Sequence, residues 1–170
     1  MSTLQHIRQL VLDRRYYLSA HAEEEMWADG LERPDIERSI LRGRIEKRMT
    51  EDVRGTRYRI EGPARDERLV SHNLSISRGC GPADYHCICS GGGIMNCEFC
   101  DGKTIKKKVR KVHWFAHQLY IVDDVEVEVC QECGERYYHA TTLDAIDRML
   151  QAGRQVIKQE LQVQVVAMPA

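Results

Sequence analysis

The sequence predicts an α+β protein made of two small units: helices followed by a short β-sheet, then an antiparallel β unit that holds a metal and carries one helix. Three observations predict it. The first 43 residues have helical spacing and helix stop signals, and the period switches to strands after Gly43. Residues 71–94 then lose all periodicity and are rich in glycine. Beyond residue 103 strict alternation returns, bracketed by two Cys-x-x-Cys pairs. The expected organisation is a first domain over 1–70, a linking tract over 71–94 and a second domain over 95–170.

In the first unit, Leu4, Ile7, Leu10 and Val11 within "TLQHIRQLVLDRR" predict a helix over 3–15. Ser19 is placed to cap a second helix over 20–29, with Gly30 as the residue just past its end. Pro34 suits the first turn of a third helix closed by Gly43. "RIEKRMTEDV" and "TRYRIEG" predict two strands joined near Asp52–Gly55. Two strands alone are marginal. Either residues 72–78 and 84–89 supply more strands despite their poor pattern, or the first unit leans on the second.

In the second unit, "TIKKKVRKVHW" and "HQLYIV" predict an antiparallel pair. "VEVEVC" alternates, with Val125, Val127 and Val129 on one face and Glu126 and Glu128 on the other. "TTLDAIDRML" predicts an amphipathic helix with Leu143, Ile146 and Leu150 inward and Asp144, Asp147 and Arg148 outward. "ELQVQVV" alternates again and predicts a last strand through Leu161, Val163 and Val165.

The chain has 170 residues, 42% hydrophobic and 30% charged, with a net charge of −1. Charge is balanced in both halves, so neither is a general polyanion binder. The apolar runs are too short to span a bilayer, and the N-terminus has no apolar core or cleavage site. The reading expects a cytoplasmic protein with no membrane partner.

Seven cysteines are present, an odd number, and four form two Cys-x-x-Cys pairs. That favours a metal over disulfides. Cys97, Cys100, Cys130 and Cys133, with 29 residues between the pairs, predict two knuckles gripping one tetrahedral, structural Zn(2+) per chain. A redox pair and an iron–sulfur cluster are the competing chemistries. Cys80, Cys87 and Cys89 lie in the linking tract, where "HCIC" has no partner pair.

"MNCEFC", "VEVEVCQECGERYY" and the helix "TTLDAIDRML" resemble the zinc-binding antitoxin domain of the YgiT/MqsA type over about residues 95–166. The resemblance implies a curved antiparallel sheet, zinc ligation by Cys97, Cys100, Cys130 and Cys133, and the binding of a cognate toxin. Operator recognition in that family belongs to a separate helix-turn-helix domain, for which no pattern follows here. "LSAHAEEEMWADGLERPDIERSILRG" with "TRYRIEGPARDERL" resembles a small bacterial domain of unknown function grouped with RelE/ParE-like toxins. His21 matches its most characteristic position, and Glu24 or Glu25 stands where an arginine is usual. The resemblance implies ribonuclease chemistry, for which His21, Arg57, Tyr58, Arg59 and Arg65 are the available groups. His21 lies one turn before Glu25, which could orient the imidazole. The bland alternative is a helix-start histidine beside a solvated arginine face.

The expected function is a fused toxin–antitoxin-type protein, its zinc domain covering the toxin-like domain in cis or in a second copy, with a homodimer as one form. The alternatives are a ribonuclease, active or latent, supported by its zinc domain, and a zinc-dependent DNA-binding regulator. For the last, Lys106, Lys108 and Arg110 in "KTIKKKVRK" would meet phosphates, although lysines also protect edge strands. "SGGGIM" reads like a purine-rich ribosome-binding sequence and start codon translated through, so 71–94 is either a read-through tract or a natural linker.

Overall fold

The computed structural model describes residues 2–50, 56–76, 96–153, 157–162, 164, 166 and 167. The tract with Cys80, Cys87, Cys89 and the Ser90–Met95 run, the turn over 51–55, and Val163 and Val165 lie outside the described residues. The order is α1 (Thr3–Leu12), β1 (Tyr17–Ser19), α2 (Ala20–Ala28), α3 (Arg33–Arg42), β2 (Arg44–Met49), β3 (Thr56–Pro63), β4 (Leu69–Ile76), β5 (Thr104–Phe115), β6 (Gln118–Cys130), β7 (Arg136–His139) and α4 (Ala140–Gln151). The fold is α+β with two antiparallel sheets, one of order β2-β3-β4 and one of order β1-β7-β6-β5.

The second order is the central feature. β1 precedes every other strand of the chain, yet it pairs with β7 of the cysteine-bearing half, Tyr17 opposite His139 and Ser19 opposite Tyr137. The first half thus leans on the second by donating an edge strand. It also completes its own sheet, because β4 pairs with β3 along its whole length, to Ile76 opposite Thr56. Residues 71–76, read as the start of the linking tract, are therefore strand. Their pattern, "SHNLSI", hides this because the sheet's core side needs only Leu74.

The first core gathers Ile7, Leu10 and Val11 of α1, Ile40 of α3, and Tyr58, Ile60 and Leu74 of the sheet. Ser2 caps α1 in a reciprocal pair with Gln5. Ser19 caps α2 by accepting from the Ala22 N–H, and Gly30 follows with φ +66°. Gly43 ends α3 in extended backbone, so handedness is not its reason. Crowding is. A Cβ on Gly62 would stand 2.1 Å from the Ser39 carbonyl oxygen and 2.7 Å from the Gly43 Cα. The Gly43–Gly62 contact lets α3 lie directly on β3.

The second core gathers Val125 and Val127 of β6, Tyr138 of β7, and Leu143, Ile146 and Leu150 of α4. "HQLYIV" and "VEVEVC" form one strand rather than two. The register shifts where Arg110 lies across from Asp123 and Asp124, a bulge that Asp124 enters at φ +59°. The tip of the β5–β6 hairpin is a two-residue turn with both Ala116 and His117 at positive φ.

Glu128 is buried, and its carboxylate accepts a hydrogen bond from Thr104 Oγ1 at 3.1 Å. Two expectations are corrected. The described residues of "ELQVQVV", 160–162, 164 and 166, form no strand. Asp144 and Asp147 face the first half of the chain rather than solvent.

The glycine contact gives a direct test. Gly62→Ala should destabilise the first core by roughly 1–3 kcal/mol, since the Ser39 backbone must move to admit a methyl. Urea unfolding followed at Tyr58 and its neighbours reads this, and an unchanged midpoint would contradict the contact.

Candidate metal centre

Both knuckles are built by the same local rule. The Cys97 N–H donates to the Gly102 carbonyl and the Asp101 N–H to the Cys97 carbonyl. In the second knuckle, the Cys130 N–H donates to Glu135 and the Gly134 N–H to Cys130, at the same spacings. Each turn needs a left-handed residue at its fifth position, which Asp101 (φ +61°) and Gly134 (φ +78°) supply. The knuckles meet because Gly102 has no side chain: a Cβ there would lie 2.6 Å from Glu132 Cγ and 3.1 Å from Cys130 Sγ.

The four Sγ atoms of Cys97, Cys100, Cys130 and Cys133 all lie within 4.8 Å of one another. Cys97 and Cys133 are 3.5 Å apart, and Cys100 and Cys130 are 3.4 Å apart. All four are free thiols. A tetrahedral metal with bonds near 2.3 Å needs sulfurs roughly 3.8 Å apart, so the donor set fits such an ion. Burial pushes the Cys130 thiol up, but the backbone N–H groups of Cys133 and Glu132 outweigh it and bring the pKa to about 7. Cys133 is pushed up to about 12: a hydrogen bond from Glu135 backbone lowers it, and burial and the neighbouring sulfurs outweigh that. Four thiolates this close ionise together only around a cation. These residues could hold a metal ion.

Sequence reasoning missed the residue that ties the site to the fold. Tyr137 is buried, and its hydroxyl lies 3.2 Å from Cys97 Sγ while accepting the Glu98 N–H at 2.9 Å. Burial and that sulfur hold the phenol pKa well above its usual value, so the hydroxyl keeps its proton. Tyr137 sits in β7 opposite Ser19, and Tyr17 packs against Cys97, Cys130 and Tyr137. The metal centre and the donated strand share one small core.

The candidate catalytic residues do not form one site. Tyr58 is in the first core, with Arg48 over its ring. Arg59 pairs with Asn73 and Glu46 on the sheet surface. Arg65 bonds Asp35 at 2.8 Å and also Glu32, closing the start of α3, and its guanidinium holds the Asp35 carboxyl down at about 2. Only His21 and Arg57 come to a common place, the first knuckle. The His21 imidazole, 3.2 Å from Glu25 as expected, packs edge-on against Phe99 at 5.6 Å, and Arg57 donates to the Glu98 carbonyl at 3.2 Å. Ser75 also bonds Glu98. Part of the basic strand is paired across its ladder. Lys106 lies 3.9 Å from Glu126 and Arg110 2.7 Å from Asp123, while Lys108 is opposite Glu126 and exposed.

A cleft of about 1060 Å³ runs between α2 and α3 on one side and the β5–β6 hairpin on the other. Its floor is charged and fully paired. Lys111, only 2% exposed, donates to Glu23 at 2.5 Å and stands 4.1 Å over the Tyr138 ring. His113 bonds Asp147 at 2.7 Å, and Arg33 bonds Asp144 and Asp147 at 2.6 Å each. Burial raises the Glu23 pKa even with Lys111 beside it. For Asp147, burial opposes ionisation, but His113 and Arg33 outweigh it and hold the pKa below the usual range. Alternation could have revealed this floor, because Lys111 and His113 share the strand face of Val109 and Phe115.

Residues 18–91 match the model of a family described as a domain of unknown function, DUF4258. The match takes in β1 through β4 and spans residues 71–91, while α1 and the four cysteines lie outside it. No curated protein and no solved structure matches the chain.

Replacing the buried Cys97 or Cys130 with serine should take bound metal from one per chain to below about a tenth, since each thiolate is a quarter of the shell. Cys87→Ser should leave it at one. Elemental analysis of the purified variants decides, and full occupancy in Cys130→Ser would mean the ligands are misassigned.

Proposed function

We propose that this chain is a toxin–antitoxin-type module in one polypeptide, in which a structural-zinc domain of YgiT/MqsA type lies over a RelE-like toxin-type domain and silences it in cis. The observation that carries this reading is the position of the first knuckle. Of the five candidate catalytic residues, the two that come together, His21 and Arg57, do so against Glu98 and Phe99, between the cysteines of that knuckle. An RNA phosphate approaching them would meet Glu98 and Phe99 of the knuckle. Zinc is the ion of choice for a closed four-thiolate shell, which leaves no coordination position for water and supplies folding energy rather than chemistry.

Reduced thiols at this site suit a reducing compartment, and the proposed location is the cytoplasm. No helix among the described residues is long and apolar enough to cross a membrane. The ribonuclease reading in which the zinc domain merely supports the sheet is the alternative, and the half-exposed His21 side chain is compatible with it. Nucleic-acid binding through Lys106, Lys108 and Arg110 is opposed by the carboxylates of Glu126 and Asp123 beside them.

The test is RNA cleavage by the zinc-loaded chain, before and after cutting at a protease site introduced between residues 79 and 93 and removing zinc with a chelator. Cleavage that appears only after release, and is lost in His21→Ala, is the expected result. Cleavage by the intact chain at the same rate would overturn silencing in cis.

A further inference from the structure

Among the described residues, one stretch of twenty, Arg14–Arg33, makes a continuous series of contacts between the halves. Arg14 Nε lies 3.3 Å from Asp144 Oδ2, and the Tyr16 carbonyl accepts the Ala140 N–H at 3.0 Å. Tyr17–Ser19 form the strand beside β7. Leu18 and Ala20 pack into the second core. The His21 N–H donates to Glu135 Oε1 at 3.1 Å, and Glu23 receives Lys111. Trp27 stacks on Trp114 with ring centres 4.2 Å apart, and Arg33 closes the series on Asp144 and Asp147. Outside this stretch, Arg57 and Ser75 reach a single residue, Glu98.

We propose that the metal-bearing half is a receptor for a contiguous strand–helix segment, and that it recognises its partner through Arg14–Arg33 as a linear element rather than through the folded surface of the first half. Backbone pairing at β7 supplies affinity that any extended strand could use. The side chains supply register. A buried cation at Lys111 requires a carboxylate at the fourth residue after the Ser19 cap, and the acidic pair Asp144–Asp147 requires arginines at either end of the segment. A partner without that carboxylate would leave Lys111 buried without a counter-charge, so such partners are rejected by the same pair that fixes the right one. The partner class is a chain that presents this strand and helix. That chain is this one in cis, or a second copy in trans. The proposal rests on reading the second half as a cover, but its test measures association and not cleavage, so the two can fail separately.

The test uses the zinc-loaded full-length chain, cut at a protease site introduced between residues 79 and 93, with the two fragments held together by the interface alone. A synthetic peptide of residues 14–33 should displace the N-terminal fragment, as read by fluorescence anisotropy. Trp27→Ala in the N-terminal fragment should weaken association at least about tenfold, and Arg57→Ala less than about threefold. Glu23→Gln should also weaken it about tenfold or more, and adding Lys111→Met in the other fragment should recover most of the loss, because no buried charge is then left unpaired. That recovery separates recognition from simple misfolding. A peptide that displaces nothing at hundredfold excess, or Arg57→Ala weakening association more than Trp27→Ala, would overturn the proposal.

Discussion

Four sulfurs held within 4.8 Å of one another are the constraint on which the joined structure depends. Each knuckle is a five-residue turn with little apolar surface of its own, and crowded thiolates repel unless a cation lies between them. Their position reaches the rest of the chain through one side chain. Tyr137 hydrogen-bonds to the first knuckle from β7, and β7 is the strand that β1 borrows. An ion held there would therefore do more than tighten a loop: it would fix the strand on which the first half is hung.

The contact between the halves is unusually rich in buried charge. Lys111, Glu23, His113, Asp147 and Arg33 are each partnered, and hydrophobic residues of equal size could pack there as well or better. What charge adds is discrimination. Breaking one member strands another, so the interface tolerates few substitutes. The apolar share is small: Leu18 and Ala20 enter the second core, and Trp27 stacks on Trp114 at the cleft.

Much of this fold was legible because local rules and tertiary packing agree. Ser19, Gly30, Pro34 and the Ile7–Leu10–Val11 stripe mark the helices, and the two cysteine pairs mark the metal centre without any knowledge of the fold. Three things were not legible. β4 was hidden because a strand with one sparsely used core face, Leu74, carries no alternation. β1 was hidden because three residues cannot show a period, and its partner lies some 120 residues on. The candidate catalytic set was misleading because arginines beside strands look alike in sequence. Only contacts show that Arg65 closes α3 while Arg57 turns toward the knuckle. "ELQVQVV" is the reverse case, an alternating pattern whose described residues, 160–162, 164 and 166, form no strand.

The claim that the metal centre holds the two halves together is tested most directly by amide hydrogen exchange on the full-length chain, with metal bound and after its removal by a chelator. The account predicts that loss of metal speeds exchange at Tyr17–Ser19 and Arg136–His139 by at least about tenfold, while Tyr58–Glu61 in the first sheet stay protected. Unchanged protection of Tyr17–Ser19 in a chain shown to be metal-free would contradict it.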